Sequence, residues 1–347
     1  MAQHLPAELI NLIMEFCDQY EIIHFTAVCR CWHECIEVRQ LKFSSRLMID
    51  RWMECRRWFN TCLSSSHSLV CGYTSNRVGV ALQKITKPFE NLKIVKLYGQ
   101  ELPSQERLNS EGVAALFNCG AFENVEEWHL ESQNIRSTSF LKGHEKKIRV
   151  LNLNDNDIEM LELEYFTKLK ELHLRCNNLH SPSIIQQISE CKSQLTCLDL
   201  SMNSFSLQHV ELIAANETLN HSLRKLNLSG SEFSGPVLKL LSRFTNLTHL
   251  TLKWMYCTNP TDVNLSSDVA KFVACLAKLT SLNFANNKTM LTRILKAISN
   301  SSSMKNLTYL NLSSSGVKEE DLIEISRYQF TCQKSKYDKS DLSGCIL

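Results

Sequence analysis

Apolar residues recur along most of the chain in one fixed phrase, apolar-x-x-apolar-x-apolar-x-x-asparagine. Its clearest copies begin at Ile148 (IRVLNLNDNDI), Leu169 (LKELHLRCNNL), Leu195 (LTCLDLSMNSF), Leu223 (LRKLNLSGSEF) and Leu307 (LTYLNLSSSGV). Looser copies begin at Leu92, Val125, Leu247 and Leu279, which makes nine. Two apolar residues two positions apart, such as Leu172 and Leu174, share one side of an extended segment, so each copy predicts a short strand with that side inward. The asparagine position (Asn156, Asn177, Asn203, Asn287) suits a short amide that hydrogen-bonds the backbone where the chain turns. Between copies the apolar spacing changes to three or four, as in Val269, Phe272, Val273 and Leu276. That period predicts helices over 110–117, 183–189, 207–215, 236–244, 267–279, 291–299 and 319–328.

Successive copies start 33, 23, 21, 26, 28, 24, 32 and 28 residues apart. Strand followed by helix, stacked in parallel, predicts a curved α/β solenoid with its strands on the concave side. The copies resemble the leucine-rich-repeat family, in the longer, helix-containing form seen in ribonuclease-inhibitor-like and F-box-associated proteins. The resemblance covers about residues 90–330, giving a repeat domain over 91–328 of about nine units. The first two copies and an insertion over 257–267 depart from the pattern.

Residues 4–43 read differently. Pro6 opens a helix where its missing N–H costs nothing, and Leu9, Leu12, Ile13 and Phe16 form one stripe. Asp18 and Glu21 have capping-box spacing, and Ile22, Phe25, Val28, Cys29, Trp32 and Ile36 recur at three or four. About 40 residues are near the lower limit for independent folding. This apolar surplus needs a cover, either the next part of the chain or another protein. Leu5-Pro6-x-Glu8-Leu9, then Ile13, Phe16, Ile22, Phe25, Val28-Cys29-Arg30 and Trp32 resembles the F-box motif without a gap. One departure is Cys17, where that family usually has leucine. The resemblance implies a small helical bundle over 1–45 that docks on a Skp-type adaptor and through it reaches a cullin scaffold. It implies that Leu5, Pro6, Leu9, Ile13, Ile22, Val28 and Trp32 form the adaptor contact and the small core behind it. The other reading makes these helices an ordinary cap for the solenoid.

Residues 46–90 read as a connection, with an amphipathic helix over 46–59 and a Ser-rich loop over 64–76. Arg51, Arg56 and Arg57 interleave with Trp52 and Trp58, which fits either an anion patch or a linker helix burying its tryptophans. Residues 329–347 read as a polar tail.

Charge narrows the partners. The chain has 347 residues with 38 basic and 36 acidic side chains, a formal charge of +2. That balance argues against a dedicated nucleic-acid or acidic-membrane binder. No apolar run approaches the ~18 residues of a membrane span. The start MAQHLPAELI lacks a secretory pattern, so the fifteen cysteines are expected to be reduced thiols in cytoplasm or nucleus. Cys29, Cys31, His33 and Cys35 cluster, but a helix would split them between two sides, which argues against zinc there. No local signature marks an activated thiol and no glycine-rich phosphate loop occurs, so neither catalysis nor a cofactor is expected.

What remains is the outward side of the strands. Tyr98, His129, Glu131, His173, Arg175, Asp199, Lys253, Trp254 and Tyr309 are the candidate contacts for a target protein, aromatic and Arg side chains being the favoured anchors. The expected whole is a non-catalytic substrate receptor of an SCF-type (Skp–cullin–F-box) ubiquitin ligase. The alternative is a leucine-rich-repeat scaffold with no ubiquitin role.

Overall fold

The structure, a computed structural model, describes residues 41–43, 68–71, 80, 88–100, 102–257, 264–287, 291–301, 305–316, 333–334 and 345–346. The seven adaptor-contact candidates from Leu5 to Trp32, the helix expected over 46–59 and the one over 319–328 lie outside these residues. The chain divides into two compact units, Met1–Asp157 and Ile158–Leu347.

In the first unit, β1 (Leu41–Phe43), β2 (Ser68–Cys71), β3 (Ile94–Tyr98), β4 (Glu127–Glu131) and β5 (Val150–Asn152) pair in chain order, all parallel. The register aligns the inward residues: Leu69 with Val95, Val95 with Trp128, Trp128 with Leu151, and Leu97 with Leu130. Helix α1 (Ser110–Asn118) follows β3; the Asn109 side chain accepts from the Gly112 N–H at 2.9 Å and so caps it. Trp128 stands where the other copies carry leucine or, in the first, Val95. The larger ring is accommodated by aromatic neighbours, stacking on Phe117 at 4.2 Å between centroids and meeting Phe122 at 5.8 Å.

The second unit repeats the theme. Its elements run β6 (Glu171–His173), α2 (Pro182–Ser189), β7 (Cys197–Asp199), α3 (Leu207–Ala214), α4 (Glu217–Ser222), β8 (Lys225–Asn227), β9 (Glu232–Phe233) and α5 (Gly235–Leu241). They continue with β10 (His249–Thr251), β11 (Tyr256–Cys257), α6 (Leu265–Cys275), β12 (Ser281–Asn283), α7 (Leu291–Ser299), β13 (Tyr309–Asn311), β14 (Gln333–Lys334) and β15 (Cys345–Ile346). Strands β6, β7, β8, β10, β12 and β13 are parallel neighbours in that order. Leu172, Leu198, Leu226, Leu250, Leu282 and Leu310 line up across them as one buried row. No single unit could bury its leucine alone; the neighbours do it. Among the described residues no helix is long and apolar enough to cross a membrane.

Every one of the nine sequence copies forms a strand, and the molecule is an α/β repeat structure. The loop over 64–76 and two helix ends are corrected, and the polar tail gains detail. The loop expected over 64–76 contains β2, whose Leu69 and Cys71 pair in register with Val95 and Leu97. The tail over 329–347 contains β14 and β15, and β15 pairs antiparallel with β13, covering a strand edge that would otherwise be open. The helices expected over 236–244 and 267–279 end earlier, at Leu241 and Cys275, because Phe244 and Leu279 already belong to the buried approach to the next strand.

The asparagines form a buried ladder. Asn156 donates from Nδ2 to the carbonyls of Leu130 (2.8 Å) and Leu153 (2.9 Å), while its Oδ1 accepts from the Gln133 and Ile135 N–H groups. Asn203 and Asn287 make equivalent sets with the strands before them. Ser315 replaces the amide with a hydroxyl that accepts from the Asn287 N–H and donates to the Phe284 carbonyl. At Ser231 the ladder lapses, and the buried hydroxyl has no partner.

The residue just before each ladder position adopts a left-handed backbone: Ser132 (φ 56°), Asp155 (55°), Cys176 (52°), Met202 (58°), Gly230 (76°), Trp254 (49°), Asn286 (62°) and Ser314 (57°). For a residue with a Cβ this costs about 1–2 kcal/mol, so the repeat, and not the local residue, dictates the turn. Gly99 holds the corresponding place before Gln100, and a methyl group there would run into the backbone carbonyl of Ser132. Gly99→Ala is therefore expected to lower stability by about 2 kcal/mol, read from the denaturant midpoint. An unchanged midpoint would show that the two strands can part there without cost.

Candidate functional site

Alternation along each strand turns the residues between the inner leucines toward the open side of the sheet. In the first unit this brings Lys96 beside His129 and Tyr98 beside Glu131 in register. Asn152 Nδ2 donates to Glu131 Oε1 at 2.8 Å and lies 3.4 Å from His129 Nδ1, so the histidine and the glutamate share one polar cluster. Burial raises the Tyr98 phenol pKa above its ordinary value, and the Glu131 charge adds to the shift.

In the second unit, Glu171 and His173 project from the same side of β6, with His173 Nε2 3.5 Å from Glu171 Oε2. On β7, Cys197 is the register partner of Glu171, and Asp199 that of His173. Burial pushes the Cys197 thiol up to about 11, with Glu171 adding to the shift and Lys225 opposing it. The thiol is accordingly protonated at neutral pH and is no ready nucleophile. Glu171 Oε, His173 N and Cys197 Sγ all lie within 4.8 Å of one another.

Asp199 is engaged locally. Its Oδ1 accepts from the Ser201 N–H (2.9 Å) and hydroxyl (2.7 Å), and its Oδ2 accepts from Asn227 Nδ2 at 3.1 Å. Asn152, Asn227, Asn283 and Asn311 likewise accept from the N–H two residues on. This column of short amides and carboxylate folds the strand exits. Alternation alone does not make the outward columns accessible: Asn152, Ser201, Ser229 and Ala285 in them are buried, at 7%, 2%, 3% and 2% exposure.

Large side chains stand clear along the strands and just beyond them. Trp254 is 49% exposed with Lys253 Nζ 5.2 Å from its ring centroid, and Tyr309 is 36% exposed. Arg175 is exposed, while Tyr98, His129, Glu131, His173, Asp199 and Lys253 are half-buried. The left-handed step places Met202 (40% exposed) and Trp254 at equivalent points of different repeats, with Gly230 in between. Tyr256 (42% exposed) joins this apolar rim, its hydroxyl donating to the Phe205 carbonyl at 3.1 Å. Met202, Tyr256 and Cys197 are absent from the sequence-derived site. The position before each ladder asparagine was the signal for Met202; Cys197 counted only as one more reduced thiol.

Comparison with known proteins adds the N-terminal part. Residues 3–44 match the F-box domain family, and residues 167–185 match the Leucine Rich repeat family. No curated protein matches the chain. A solved structure similar to it is internalin C2 from Listeria monocytogenes, 20% identical, with a TM-score of 0.38, covering 60% of this chain and 78% of that one. The chain thus joins an F-box domain at its N-terminal end to leucine-rich repeats.

Proposed function

We propose that this chain is the substrate-recognition subunit of an SCF-type E3 ubiquitin ligase. F-box domains bind Skp-type adaptors and leucine-rich repeats bind proteins; the observation that carries the reading is the F-box match over residues 3–44 ahead of the repeats. In this role Leu5, Pro6, Leu9, Ile13, Ile22, Val28 and Trp32 meet the adaptor, which links the chain to a cullin. The target lies on the repeat face, and its lysine is brought near a ubiquitin-charged enzyme held elsewhere on the scaffold. Rate then comes from effective concentration and not from side-chain chemistry in this chain. The work is done in the cytoplasm or nucleus, and the reading calls for neither nucleic acid nor membrane.

Target affinity rests mainly on the exposed aromatic and Arg side chains, because such anchors gain most on desolvation. Trp254→Ala is expected to weaken target binding about 30-fold while adaptor capture stays unchanged, since Trp254 lies on the repeats and is 49% exposed. Binding isotherms of target and adaptor on the same preparations measure both. The test of the reading as a whole is co-precipitation from cells: the full chain should bring down a Skp-type adaptor and a cullin, and a chain lacking residues 1–45 should bring down neither. Equal recovery by both chains would reject it.

A further inference from the structure

We propose that Glu171, His173 and Cys197 form a binding site for a thiolate-tolerant divalent metal ion, zinc in chemical class, on the open face of the second unit. The three side chains offer a carboxylate oxygen, an imidazole nitrogen and a sulfur, the donor set that zinc and cobalt accept. Their convergence is built by the sheet. Glu171 and His173 are two apart on β6, and Cys197 is directly across from Glu171 on β7. The donor atoms all lie within 4.8 Å of one another, and the His173–Glu171 pair is at 3.5 Å. Zinc bond lengths set tetrahedral donor separations of roughly 3.3–3.8 Å. Side-chain rotation of about 1 Å therefore closes the set, with no movement of the strands.

The neighbours fit a bound cation. Asp199, the register partner of His173, has both oxygens occupied by Ser201 and Asn227, so it holds the strand exit and leaves coordination to the other three. A divalent ion displaces the Cys197 proton on binding, and carboxylate and thiolate together then balance its charge. All three donors are half-buried, which leaves a fourth position for water or for a donor side chain of a bound protein. A plain Glu–His surface pair would be worth at most about 1 kcal/mol and needs no sulfur beside it. The inference stands on these residues alone and is independent of the ubiquitin-ligase reading.

The test is a cobalt(II) titration of the full-length, metal-free, reduced chain, followed by the thiolate-to-cobalt absorption in the near ultraviolet. Wild type should bind one cobalt with a thiolate band, and zinc should displace it. Cys197→Ser should lose the band, and His173→Gln and Glu171→Gln should each bind at least about tenfold more weakly. Cys275→Ser, which alters an exposed thiol on α6, should bind as wild type does. Because His173 and Glu171 lie on the open face, their variants keep the fold and decide the matter even if serine at 197 does not. No thiolate band in wild type, or an unaltered band and affinity in His173→Gln and Glu171→Gln, would overturn the proposal.

Discussion

Changing Leu9, Ile13 and Trp32 together to polar residues is expected to abolish capture of a Skp-type adaptor. These three lie within the F-box match over residues 3–44, and each carries apolar area that a partner would remove from water. Truncated interface anchors commonly cost 2 kcal/mol or more apiece. Three together therefore weaken the complex by at least about a thousandfold, beyond detection in a co-purification. The repeats should stay folded, because Leu172, Leu198, Leu226, Leu250, Leu282 and Leu310 form a buried row in the second unit and Trp128 packs on Phe117 in the first. Thermal unfolding followed by far-ultraviolet circular dichroism checks that half. Adaptor capture at wild-type level would remove these residues from the contact, and collapse of the repeats would favour the reading in which the first helices are a cap.

The second large effect concerns stability. Asn203 is 1% exposed, and its amide ties the backbone of two successive repeats into one knot. Nδ2 donates to the carbonyls of Leu174 (2.8 Å), Leu200 (3.0 Å) and Ser201 (3.2 Å). Oδ1 accepts from the N–H groups of Asn177 (2.8 Å) and Leu179 (3.4 Å). Leucine has similar bulk but no polar atoms, so Asn203→Leu strands buried donors and acceptors at about 1–3 kcal/mol each. Some of these groups share other partners, so the net loss expected is about 4 kcal/mol. Exposed Lys192→Ala in the same unit should change stability by less than about 0.5 kcal/mol. Urea unfolding of the two variants beside wild type measures the contrast. A loss under about 1 kcal/mol for Asn203→Leu would mean that the ladder accompanies the turns without holding them.

Which parts of the fold could be read in the sequence follows from where the physics is local. Period-two leucines such as Leu172 and Leu174 mark a strand by themselves, so all nine copies were legible. β2 was not, because Ser66 and Thr74 stand where the phrase wants an apolar residue and an asparagine, leaving Leu69 and Cys71 as the signal. Its strand character comes from pairing with β3, a tertiary fact. The strands of the tail are the same case: β15 forms against β13, from a segment with little β pattern of its own. The outward face was legible as alternation, but not the local work of Asp199 and Asn227, whose side chains serve strand exits that one-dimensional spacing does not show. Nor does spacing reveal that Glu171, His173 and Cys197 meet, since 26 residues separate Glu171 from its partner in register. The F-box segment over residues 3–44 was legible for a different reason, a contiguous motif whose order along the chain is itself the evidence.

The most direct measurement is calorimetric titration of the purified full-length chain with a purified Skp-type adaptor, neither carrying a tag. A saturating one-to-one isotherm with a dissociation constant below about 1 μM is the predicted outcome. Flat heats at concentrations of about 100 μM, from a chain whose repeats are folded, would contradict it.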